Sequence, residues 1–127
     1  MGDRVVFGFK KDTNDLAPVW LYSHWGASSA VKDMGEAIAK ARPRWNDPAY
    51  ATRIATSHII GTDWNQELHF GITAEFDNMP AWPDDERIYI ACWKEKMVQV
   101  VNFSDPRHVI RQFSFEDFLT AVLAGVL

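Results

Sequence analysis

The sequence predicts an α+β fold: a small, mainly antiparallel sheet, with a helical pair inserted after strand 2 and a C-terminal helix. Three observations carry this. Short apolar runs bounded by Asp, Asn, Gly and Pro recur along the chain, as strands do. Between the second and third of these runs, Val31, Met34, Ile38 and Ala41 fall on one helical face, and a second helical stretch follows. The chain has 127 residues, 47% hydrophobic and 24% charged, which suits one domain over residues 1–127 with its own core.

Arg4–Phe9 and Pro18–Tyr22 read as two strands separated by the turn-rich Lys10–Asp15. His24–Ser29 is then a sharp junction whose serines suit a helix cap. Pro43 stops the first helix, and Asp47-Pro48 starts the second, with an acceptor at the cap and proline in the first turn. Gly61 ends it. A third strand is expected over Glu67–Phe76, then a loop rich in Asp and Pro. Ile88–Trp93 and Met97–Phe103 form a hairpin across Lys94-Glu95-Lys96, and Val109–Phe113 is a short last strand. Ser114-Phe115-Glu116-Asp117 resembles a capping box, with Asp in place of Glu or Gln, and opens a final helix to Ala124.

Composition excludes several function classes. The net charge is −4, and residues 62–87 hold seven acidic side chains against one basic. With no basic run, a duplex-DNA partner is not expected. No apolar run approaches a membrane span and no signal-peptide pattern opens the chain, so no membrane partner and a cytoplasmic location are expected. The one cysteine, Cys92, sits among apolar strand residues and reads as a buried, inert thiol. No phosphate-loop, dinucleotide, nucleophile-elbow or zinc-protease motif is present, and His24, His58, His69 and His108 lack ligand spacing. No metal, cofactor or catalytic residue is therefore assigned.

Two stretches could carry binding. Tyr22-Ser23-His24-Trp25-Gly26-Ala27-Ser28-Ser29 leaves a strand, turns and enters a helix, where free N–H groups favour an anion. Ser28 and Ser29 add hydroxyl donors, Trp25 a flat face for a planar ring, and His24 a bond to phosphate or ribose. Arg44, Trp45, Tyr50 and Arg53 form the second stretch, in which guanidinium forks grip phosphate or carboxylate. The first helix separates the two by roughly 20 Å. If the second helix folds back, His58 returns toward the first turn while Trp45 stays remote. A shared site would then need Arg53 reaching inward, a splayed helix pair or a neighbouring subunit; exposed Trp and Arg favour the last, so a homo-oligomer is expected.

Leu21-Tyr22-Ser23-His24-Trp25-Gly26, then Arg44-Trp45-Asn46-Asp47 with Tyr50 and Arg53, then Phe70-Gly71-Ile72, resemble a family of small bacteriophage accessory proteins. That family carries Tyr-x-His-Trp-Gly-Gly and Arg-Trp-x-Asp motifs; here Ala27 replaces the second glycine. The resemblance implies an accessory, anti-defence role rather than a virion component. Three functions are open. The first is a non-enzymatic sponge for a phosphorylated, nucleotide-derived immune signal. The second is a protein-binding inhibitor of a host enzyme, using the acidic 62–87 segment as a decoy. The third is a metal-independent phosphodiesterase or ribosyl-cleaving enzyme with His24 and His58 as acid and base.

Overall fold

Six strands form one sheet in the computed structural model, which describes residues 2–127. They are β1 (Val5–Lys10), β2 (Val19–Ser23), β3 (Phe70–Thr73), β4 (Arg87–Cys92), β5 (Met97–Asn102) and β6 (Asp105–Ser114). Their spatial order is β3-β2-β1-β4-β5-β6. Among the described residues β1 and β4 run parallel, with Phe7 opposite Tyr89, and the other neighbouring pairs are antiparallel. The three helices are α1 (Ala30–Lys40), α2 (Pro48–Ile60) and α3 (Phe115–Ala124). The expected α+β class and its mainly antiparallel sheet are what the chain adopts. No helix among the described residues is long and apolar enough to cross a membrane.

The period of two along a strand divides the core into two layers. Val5, Phe7 and Phe9 point to the helical face, where they meet Met34 and Ile38 of α1, Ala51 and Ala55 of α2, and Phe115 and Phe118 of α3. Trp93 lies at the centre of this layer, stacked on Phe9 at 6.2 Å, and its indole N–H donates to Thr52 Oγ1 at 2.9 Å. Val6, Trp20, Tyr22, Ile88 and Ile90 point the other way, under Phe76, Met79 and Ala81 of the acidic loop. Gly8 is required there. A Cβ on it would stand 2.7 Å from the Trp20 ring and 2.9 Å from Ile90.

Element boundaries depart from expectation where tertiary contacts decide them. The third strand is only Phe70–Thr73, because just these residues pair with β2; at its expected end Phe76–Asn78 forms a 3-10 turn instead. The last strand spans ten residues rather than five, since β6 continues past a bulge near Val100 and Val101 to pair as far as Asp105. Neither Ser29 nor Asp47 makes a side-chain cap bond, whereas Ser114 does, accepting the Asp117 amide at 3.0 Å. The hairpin turn at Lys94–Lys96 forms as expected, with Lys96 taking a positive φ of 56°.

Candidate functional site

The His24–Ser29 junction is built by four long-range hydrogen bonds. The His24 amide donates to the His69 carbonyl at 3.0 Å, and the Asp3 amide donates to the His24 carbonyl at 2.8 Å. Asp3 then turns back on α1. Its carbonyl accepts the Ala27 amide and its carboxylate the Ser28 amide, both at 2.8 Å. Hydrogen bonds from Ser28 hold the Asp3 carboxyl below the usual carboxylate range. The open helix start expected to bind an external anion is thus filled by the chain's own carboxylate. Ser29 is engaged as well, its hydroxyl donating to Asp33 at 2.8 Å.

Around Trp25 the side chains converge. Its indole is 53% exposed and meets the rings of His24 at 4.5 Å and His69 at 5.1 Å, both edge to face. Each imidazole is itself anchored. His24 Nδ1 lies 3.0 Å from the Tyr22 hydroxyl, whose burial raises the phenol above its ordinary range. His69 Nδ1 donates to Asp63 at 2.7 Å and stacks on Phe70 at 3.9 Å. Two anchored imidazoles therefore contact an indole that stays half exposed.

His69 also lies 3.4 Å from the Ser23 hydroxyl, which gives the order Ser23–His69–Asp63 familiar from hydrolase triads. A nucleophile must be reachable, and Ser23 is not. It is 1% exposed and lies beneath Gly26, where a Cβ would come within 2.5 Å of its oxygen. The relay therefore satisfies a buried hydroxyl and orients His69. Asp63, His69 and Asp3 carry no local sequence signal: His69 bonds Asp63, six residues upstream and ahead of β3, and Asp3 reaches Ser28 from 25 residues upstream.

The second stretch divides. Trp45 is buried at 8%, its indole N–H donating to the Ile38 carbonyl at 2.9 Å, with the Arg42 guanidinium over its ring and Phe115 beside it. It packs the core and offers no free stacking face, which corrects the expectation that it is exposed for binding. Arg44 lies over the Tyr50 ring at 4.9 Å, both residues are exposed, and Arg53 is exposed too. His58 donates to Glu36 across α1 and α2 at 3.4 Å. Arg44, Tyr50 and Arg53 sit at and beyond the C-terminal end of α1, and His24, Trp25, Ser28 and Ser29 at its start. The structure brings Tyr22, His24 and Trp25 together and leaves the arginines apart from them.

No protein-family model, curated protein or solved structure matches this chain. A cavity of about 860 Å³ lies between α1 and α3; Ser28 and Ser29 line it, and His24 and Trp25 do not. Cys92 is fully buried, and burial pushes its thiol up to about 12, far from reactive thiolate chemistry.

Proposed function

We propose that this chain is a binding protein without chemistry of its own, a phage-type accessory factor that sequesters a phosphorylated, nucleotide-derived signal of host antiviral immunity. The observation that carries the reading is Trp25, exposed over half its surface yet braced by His24 and His69. A rigid indole presents a stacking face for a base at little entropic cost, and neighbouring imidazoles suit a phosphate or ribose. Arg44 and Arg53 are exposed cations, and no ion pair engages either among the described residues, so they are free to meet an anion. Because they lie away from Trp25, joining both clusters on one ligand requires a second copy of the chain.

Calorimetry against cyclic di- and oligonucleotides and cyclic ADP-ribose isomers tests this. Binding that Trp25→Ala weakens by at least about tenfold is expected. Absence of heat with every member of the panel sinks the reading.

A second reading, inhibition of a host enzyme through the acidic segment, draws on a separate observation. Trp64 is 77% and Leu68 80% exposed beside Asp63 and Glu67, an apolar surface with an acidic rim. Capture of a basic host protein that is lost on Trp64→Ala with Glu67→Gln would favour it. Asp84 is a poor probe, because it holds Arg4 through the backbone amide at 2.8 Å and the guanidinium at 3.3 Å. The hydrolytic reading draws no support from the geometry, since His24 meets Tyr22 and His58 meets Glu36, and no contact joins the two imidazoles among the described residues.

A further inference from the structure

We infer that a cavity on the sheet face opposite the helices binds an aromatic α-amino acid as its zwitterion. The acidic loop crosses that face and builds the cavity from its own rings. Phe76 packs on Trp20 at 5.0 Å and on Phe103 at 4.7 Å, and Trp82 meets Phe103 edge to face at 4.5 Å. Phe103, just after β5, is buried, whereas Trp82 is 57% exposed. The backbone at Trp82 is held in place, because its carbonyl accepts the Arg4 Nε–H at 2.9 Å. The cavity measures about 640 Å³, within the range of small-molecule sites. Phe76, Trp82 and Phe103 line it, and Met79 adds a thioether suited to packing against a ring.

Charge selects the ligand. Asp77 and Arg107 both line this cavity, one from the loop and one from β6. The neighbouring acids Asp84 and Asp85 are engaged by Arg4 at 3.3 Å and Arg87 at 3.8 Å. Among the described residues, neither Asp77 nor Arg107 makes an ion pair, with each other or with any other group. The site thus offers one open anion and one open cation beside an aromatic wall. A plain organic cation would sit against Arg107, and an aromatic phosphate would set its double charge against Asp77. An α-amino acid suits both. Its ammonium donates to Asp77, its carboxylate accepts the guanidinium fork, and its ring meets Trp82. The cavity shares no residue with the cluster around Trp25, so the inference stands apart from the signal-binding reading.

Calorimetry with L-phenylalanine and L-tryptophan tests it. Both should bind. N-acetyl-phenylalanine, which lacks the ammonium, and phenylethylamine, which lacks the carboxylate, should each bind at least about tenfold more weakly than phenylalanine. Asp77→Asn, Arg107→Gln and Trp82→Ala, all at exposed positions, should keep the far-ultraviolet circular dichroism of the fold and weaken binding by a similar factor. Leu123→Ala, at a 90% exposed position on α3 across the sheet, should bind like wild type. Absence of heat with both amino acids overturns the inference. So does phenylethylamine binding as tightly as phenylalanine, or binding that survives Asp77→Asn and Arg107→Gln.

Discussion

The carboxylate of Asp3 accepts the backbone amide of Ser28 at 2.8 Å, across 25 residues of sequence, and so occupies a donor in the 3-10 turn that leads into α1. Removing that carboxylate should create the vacancy the chain now fills itself. Asp3→Ala is expected to lower the melting temperature and to recover part of the loss in phosphate or sulfate, whereas the wild-type protein gains nothing specific from either. Thermal melts in matched ionic strength with and without these anions distinguish the two.

The same contact fixes a pH dependence. Asp3 has a lowered carboxyl in the folded chain, so its contribution to stability is complete above the ordinary carboxyl range, about pH 4. It is lost as pH falls through the lowered folded-state value. Asp3→Asn should flatten that part of the stability curve, measured by urea unfolding between about pH 2 and 5. A variant whose acid limb superimposes on wild type would show that other carboxylates dominate.

Trp45 and Trp25 should separate stability from binding. Trp45→Phe removes the N–H that satisfies the Ile38 carbonyl near the end of α1 and leaves a void beside Phe115. A loss of about 1–3 kcal/mol in chemical denaturation is expected, with ligand affinity unchanged in the folded protein. Trp25→Phe should do the reverse.

Cys92 gives a simple probe of global opening. With its thiol fully buried and raised to about 12, alkylation of the native chain should be slow and should follow unfolding. Iodoacetamide labelling read by intact mass, with and without denaturant, checks this. Rapid native labelling would mean that β4 opens locally.

Much of the fold was legible because strands and helices write their periods locally. β1, β2, the β4–β5 hairpin and the capped start of α3 all follow from spacing alone. What escaped depends on partners distant in sequence. The length of β3 is set by what β2 offers, and β6 extends because a bulge lets it keep pairing. The site was half visible for the same reason. His24 and Trp25 sit in a recognisable turn, but nothing near Ser28 announces that Asp3 will cap it, and nothing near His69 announces Asp63. Trp45 misled because an arginine-rich, proline-flanked stretch looks exposed, whereas its tryptophan folds inward beneath Arg42.

The parallel pairing of β1 with β4 has a consequence for synthesis. β1 is central, and only its β2 side can be satisfied early. Until the ribosome has released Arg87–Cys92, the other side of β1 remains a bare apolar edge carrying Phe7 and Phe9, open to any passing strand. The N-terminal two thirds of the chain should therefore be a poor folding unit, and chains halted before β4 should be the ones that chaperones hold or proteases clear.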